Sequence, residues 1–403
     1  MIKSYWLSAY NIIIFSILGA IFGFFSSDFM VFIKPLGDFF IQCIKMLIVP
    51  LIIFSVLNAT ARLAETNKAG KIGAYSILYF LLTSIFAVVL GLIFSIMFNL
   101  GLGVGKTPEY SAELIGEYSA LSSISEFIMN LVPINPIKSF SEGNIIQILV
   151  FTIFLGIALS YIKNQYRDTF VNNLSVLNDS FIWMIEKVMY LTPIGVFSLL
   201  GYAVATMGVD VLSLMIKFLL VYILVCFIMV YIFYGFLVKF FSKLSYIQFF
   251  KGIIPLKIIS FSTSSSLVSL PTNIKNCTDL GLNKNILNFV LPIGATINMN
   301  GSAMFYAMAG VFCANVFGVE LSLSSYIAIA ITSILAAIGT AGVPGATLLV
   351  VIVFSSANIP LEGIPLILAM DRVFDMFRTP VNVIGDSTCV ALLDEVIAED
   401  KSK

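Results

Sequence analysis

Unbroken apolar runs long enough to cross a lipid bilayer constrain this chain more than any other feature. They fall at about residues 8–26, 36–58, 73–100, 145–163, 180–207 and 212–238, against the roughly 20 residues a helix needs to span the hydrocarbon. A backbone without water must satisfy its own polar groups, which leaves helices or a closed barrel. These runs far exceed the roughly 10 residues of a tilted strand. The expectation is an all-α membrane protein. Composition agrees, with 59% hydrophobic and 11% charged residues and a mean hydropathy of +1.03.

Charge excludes several functions. Twenty-two basic residues balance twenty-two acidic ones, so neither a nucleic-acid partner nor a polybasic lipid anchor is indicated. The chain has no histidine, which removes the usual proton shuttle and the commonest zinc ligand. Its five cysteines, Cys43, Cys226, Cys277, Cys313 and Cys389, show no metal or disulfide spacing and read as buried apolar residues. Lys3 precedes an apolar run without a small-residue cleavage site, which reads as a retained first helix. Arg62, Lys68, Lys71, Lys163, Arg167, Lys239, Lys243, Lys251 and Lys257 follow alternate spans, whereas Glu109, Glu113 and Glu117 follow the third. Both termini are therefore expected in the cytoplasm of a multi-pass cell (inner) membrane protein surrounded by lipid.

Beyond residue 240 the apolar segments are interrupted by SFSTSSSLVSLP (260–271), NMNGSAM (298–304) and GTAGVPGATL (339–348). They form two similar units, each a broken apolar segment followed by a helix with polar residues at membrane depth. Paired interruptions of this kind point to inverted repeats with a site near the midplane. The last unit carries Asp371, Asp375, Arg378, Asn382 and Asp386, spaced four, three, four and four apart on one helix face. An ionised side chain there costs at least about 2.5 kcal/mol unless it is partnered. A guanidinium suits a carboxylate and a carboxylate suits an ammonium, which points to a zwitterion with a second acid group. Asp375 and Arg378 could instead neutralise one another. Asp386, Asn382 and freed carbonyls offer the hard oxygens an alkali cation needs, and Pro380 frees a carbonyl near Met376. The serines at 264–266 have no base beside them, so an enzyme is not expected.

These motifs, with GATINMNG, IGTAGVPGA and DMFRTPVNVIGD the most specific, resemble the dicarboxylate and amino acid:cation symporters, the glutamate transporter group. KMLIVPLIIFSV (45–56) and LLTSIFAVVLG (81–91) are similar to that family's second and third helices. The resemblance implies eight transmembrane helices plus two re-entrant helical hairpins, an elevator mechanism and a homotrimer. It divides the chain into scaffold helices 1–2 (1–66), transport helix 3 (67–103), scaffold helices 4–5 (104–208) and a transport segment (209–403). It implies substrate contacts at Ser265, Ser266, Ser302, Val343, Asp375, Arg378, Thr379 and Asn382. One sodium site falls on Gly294, Asn298, Asn382 and Asp386, and a second on Thr296, Met299, Ala337 and Thr340. Asn300 stands where the family carries a carboxylate of a third sodium site, and Phe80 where an aromatic hydroxyl often contributes, with Thr83 and Ser84 retained. Neither Ser264 nor Met376 supplies the arginine other members place at one of those positions, and Arg372 is the candidate to replace it. Thr347 replaces a frequent glycine. The implied activity is Na⁺-coupled import of glutamate or aspartate. The alternatives are H⁺ coupling, or a neutral amino acid, cystine or a C4-dicarboxylate as cargo.

Overall fold

The computed structural model describes residues 9–67, 71–103, 132–142, 145–162, 165–208, 210–339 and 349–402. All regular structure among them is helical. In chain order the helices are α1 (Ala9–Phe25), α2 (Ser27–Asn67), α3 (Lys71–Met97), α4 (Pro136–Glu142), α5 (Ile145–Tyr161), α6 (Gln165–Met189), α7 (Thr192–Met207), α8 (Asp210–Phe227), α9 (Gly235–Phe241), α10 (Tyr246–Gly252), α11 (Ile254–Thr263), α12 (Ser266–Asp279), α13 (Lys284–Ile297), α14 (Asn300–Val316), α15 (Leu323–Gly339), α16 (Val350–Ser356), α17 (Ile364–Ala369) and α18 (Asp371–Ser402).

Helix α3 is amphipathic in the sense opposite to that of a surface helix in a water-soluble protein. Along α3, Leu78, Leu82, Ile85, Val89, Ile93 and Ile96 recur every three or four residues and are exposed, from 42% at Ile85 to 56% at Leu82. The buried face of α3 is mostly small or hydroxyl-bearing, with Gly73, Ser76, Thr83, Ser84, Ala87, Gly91 and Ser95, and Phe80 and Val88 are its larger members. A large-apolar stripe outside and small or polar residues inside suit a hydrocarbon solvent, where close packing and internal hydrogen bonds drive helix association. α3 and the continuous segment Asp210–Phe241 are each long and apolar enough by themselves to span a membrane.

The expected span at 180–207 is two helices. α6 stops at Met189, a turn at Tyr190 and Leu191 follows, and α7 restarts with Thr192 and Pro193. Proline lacks an amide donor and disfavours helix in the residue before it, so it suits a helix's first turn and ends the one before. A run of uniform hydropathy conceals such a break.

α1, α2, α5, α6 and α7 pack mainly against one another, and α3 with α11 to α18 form a second group, with α8 reaching both. α17 bridges the groups by packing on α7 and α1, where Ser16 Oγ donates to the Ala369 carbonyl at 3.3 Å. Within the second group the two expected units appear in order. α11 and α12 pack as a hairpin followed by α13 and α14, broken at Asn298 and Met299. α15 and α16 also pack together, followed by α17 and α18, broken at Met370. At the first hairpin's tip Ser264 takes the left-handed conformation (φ 50°, ψ 35°) and Ser265 caps α12 by accepting from the Val268 amide at 3.3 Å.

Candidate functional site

α18 carries its polar residues in the interior. Asp371, Asp375, Arg378, Thr379, Asn382 and Asp386 are all buried, Arg378 to 1% exposure and Asp386 to 1%. α11, α13 and α14 pack directly on this helix.

Arg378 donates to one oxygen of Asp375, from Nε at 3.0 Å and from Nη2 at 2.7 Å, and Nη2 also reaches Asp371 Oδ1 at 3.4 Å. The guanidinium lies over the Phe305 ring, with Cζ 5.0 Å from its centroid. Behind it, Phe218, Phe305, Phe312, Phe374 and Tyr222 form an aromatic layer of stacked, tilted and edge-on pairs with centroids 4.7 to 6.0 Å apart. Planar, weakly hydrated arginine tolerates such a setting where lysine would not. Thr379 Oγ1 is held by the Asp375 carbonyl at 2.9 Å. Arg372 has its Nε buried with no hydrogen-bond partner among the described residues.

Two turns further, Asp386 accepts from Asn298 Nδ2 at 2.8 Å, and no basic residue pairs with it among the described residues. Asn298 Oδ1 is buried and accepts from no donor among the described residues. A Cβ added at Gly294 would collide with Asp386 Oδ1, so the absence of a side chain there lets α13 reach the carboxylate. Asn382 Oδ1 accepts from the Gly301 amide at 2.8 Å, and its Nδ2 lies 3.2 Å from Met299 Sδ. An uncompensated buried carboxylate beside an acceptor without a donor is a set of hard oxygens that fits a small cation.

Gly294, Asn298, Asn382 and Asp386 therefore come together, with Met299 at their edge. Ser302 is buried in the first turn of α14, and Ser265 and Ser266 form the first hairpin's tip. Thr296 bonds within its own helix, to the Ile293 carbonyl at 2.9 Å, and its helix α13 packs on α15, which carries Ala337 near its end. Thr340, Val343 and Thr347 lie outside the described residues.

Asn300 is fully engaged without a charge. It donates from Nδ2 to Thr83 Oγ1 at 3.0 Å and to the Tyr234 hydroxyl at 2.8 Å, and accepts from Ser84 Oγ at 2.7 Å. Sequence reasoning missed the tyrosines around this region. Tyr234 meets Asn300, the Tyr222 hydroxyl donates to the Gly301 carbonyl at 3.0 Å, and Tyr79 donates to the Gly385 carbonyl at 3.2 Å. Their only signal was a phenol inside an apolar span, where a buried hydroxyl needs a partner.

A profile of the sodium:dicarboxylate symporter family matches residues 9–396. The chain belongs to that family. Among members of the sodium:dicarboxylate symporter family it is 29% identical, over 97% of this chain and 93% of the other, to a proton/sodium-glutamate symport protein of Geobacillus stearothermophilus. It is 29% identical to the proton/glutamate-aspartate symporter of Escherichia coli, covering 96% and 92% of the two chains. It is also 30% identical to a C4-dicarboxylate transport protein of Bacillus subtilis, covering 94% and 90%. The all-helical structure of the described residues is consistent with that transporter family.

Proposed function

We propose that this protein is a secondary symporter of the cell membrane that imports glutamate or aspartate together with Na⁺. The observation that carries this reading is the buried Arg378–Asp375 pair. Unliganded, the two charges compensate one another. An amino acid with an acidic side chain brings a carboxylate for Arg378 and an ammonium for Asp375, so each buried charge exchanges one partner for another and neither is left alone. Breaking such a pair without replacement costs about 3–5 kcal/mol. A C4-dicarboxylate has no ammonium to offer Asp375, which favours the amino acid over that cargo. Thr379 and Asn382 extend the same face, with Ser265, Ser266, Ser302 and Val343 as further contacts.

Na⁺ is the second cargo, read from Asp386, Asn298 and Asn382, with Gly294 leaving room and Thr296, Met299, Ala337 and Thr340 offering a second position. Proton coupling is the alternative, favoured by the neutral network that Asn300 makes with Thr83, Ser84 and Tyr234. The packing of α3 with α8 and α11 to α18, beside α1, α2 and α5 to α7, supports a transport unit that slides as an elevator on a scaffold. In this reading the protein is a homotrimer with both termini cytoplasmic.

The test is uptake of labelled glutamate, aspartate and succinate into liposomes holding the purified protein, under a Na⁺ gradient or a pH gradient in parallel. The expected result is Na⁺-driven uptake of the two amino acids and its loss in Arg378→Gln. Unchanged glutamate uptake in Arg378→Gln would refute the substrate assignment, and uptake driven by pH alone would refute the sodium assignment.

A further inference from the structure

The helix that begins at Asp210 contains a π-turn at Ile228–Tyr234 before continuing as α9. A π-turn amounts to one residue inserted into an α-helix, which sets everything beyond it back by about 100°. The twelve steps from Tyr222 to Tyr234 would leave the two side chains about 120° apart on a regular helix, and the inserted residue reduces this to about 20°. Both hydroxyls therefore point the same way, and both end on consecutive residues of one partner. Tyr222 donates to the Gly301 carbonyl and Tyr234 accepts from the Asn300 side chain.

Those two residues open α14 immediately after the unwound step at Asn298 and Met299. Locally the step is held by backbone bonds alone, from the Asn298 amide to the Gly294 carbonyl at 2.9 Å and from the Met299 amide to the Ile297 carbonyl at 3.0 Å. Met299 occupies the N-cap position with no capping side chain, where serine, threonine, aspartate or asparagine would normally accept from the first free amides. The stabilising contacts come from other helices: Asn382 Oδ1 accepts from the Gly301 amide, Thr83 and Ser84 engage Asn300, and the two tyrosines complete the set. Asn298, the first residue of the step, supplies the Oδ1 beside Asp386 that has no hydrogen-bond partner among the described residues.

We propose that Tyr222 and Tyr234 are positioning residues for the cation site, and that the π-turn exists to bring both hydroxyls onto the start of α14. By fixing Asn300 and Gly301 they hold the unwound step in the shape that keeps Asn298 Oδ1 and the Asp386 carboxylate together, so that binding does not have to order that segment. The inference rests on the reading of Asp386, Asn298 and Asn382 as a sodium site.

The experiment compares wild type, Tyr222→Phe, Tyr234→Phe and Tyr161→Phe. Tyr161 ends α5 in the other helix group and is 71% exposed. Glutamate uptake into liposomes and the melting temperature of the purified protein are each measured against Na⁺ concentration, with choline replacing Na⁺. Tyr222→Phe and Tyr234→Phe are expected to raise the half-saturating Na⁺ concentration about tenfold, while maximal uptake and the glutamate KM at saturating Na⁺ stay within about twofold of wild type. Tyr161→Phe should follow wild type. A loss of maximal uptake or melting temperature with an unmoved Na⁺ midpoint would show a merely structural role and overturn the proposal. If wild type itself responds to Na⁺ in neither measurement, the sodium-site reading falls and the proposal with it. If wild type responds and both variants titrate like it, only the role of the tyrosines falls.

Discussion

At Asn300 one atom separates two kinds of site. The amide meets Thr83, Ser84 and Tyr234 with every hydrogen bond satisfied and no charge to neutralise. In Asn300→Asp the same position becomes a buried carboxylate among three hydroxyl oxygens, and an unpaired buried charge is far more costly than a satisfied amide. The variant is therefore expected to fold well only when a cation enters. Its melting temperature in choline should fall by several degrees and recover in Na⁺, and uptake should depend more steeply on Na⁺ than in wild type. Equal melting temperatures in both salts would show that this pocket admits no cation. The substitution was visible through the family resemblance, which places a carboxylate at this position. Its partners were only partly visible. Thr83 and Ser84 could be named, while Tyr234 reaches Asn300 through a π-turn that no composition or spacing rule marks.

Elements meet closely where α14 crosses α18. A Cβ added at Gly301 would lie 2.6 Å from the Arg378 carbonyl and 3.1 Å from Asn382 Oδ1, so the two backbones touch beside the Arg378–Asp375 pair. Gly301→Ala must push the helices apart, at a cost of about 1–3 kcal/mol, and shift Arg378 and Asn382 together. Uptake is expected to fall by more than tenfold. Gly310→Ala on the same helix is the comparison, since its new methyl would meet only side chains, the nearest Val353 Cγ1 at 3.1 Å. It should retain most uptake, and similar losses in both variants would refute the special role of the crossing. The helix interruptions at 260–271 and 298–304 were legible because glycine, asparagine and serine clusters stand out against apolar runs. The break at Tyr190 and Leu191 was not, since leucine, methionine and tyrosine keep the hydropathy high across it and only Pro193 hints at a restart. The stripe from Asp371 to Asp386 was legible in full as a face, because period and burial cost together fix it. Which member pairs with which was not, because Arg378 can reach both Asp371 and Asp375 and only packing against Phe305 selects its position.

For the whole molecule, the decisive question is whether the two packed groups of helices move past one another. Their contact includes α17 against α7 and α1, where Ser16 Oγ meets the Ala369 carbonyl. A single hydrogen bond of this kind contributes only about 0.5–1.5 kcal/mol, so it can break and reform during a transport cycle. An alternating-access cycle carried by a sliding unit requires this contact to separate once per turnover, whereas gating by the hairpin tips alone would leave it intact. Replacing Ser16 and Ala369 with cysteine, in a background where the five native cysteines are serine or alanine, places two thiols close enough for a mercuric ion to bridge. Under the elevator reading, adding the ion should lower uptake to less than about a tenth while glutamate binding persists, and excess free thiol should restore transport. Each single-cysteine variant should be unaffected by the ion. Full uptake by a population shown by mass to be bridged would mean that α1 and α17 stay together throughout the cycle. Transport would then have to proceed by local opening of the hairpins around a site that does not travel.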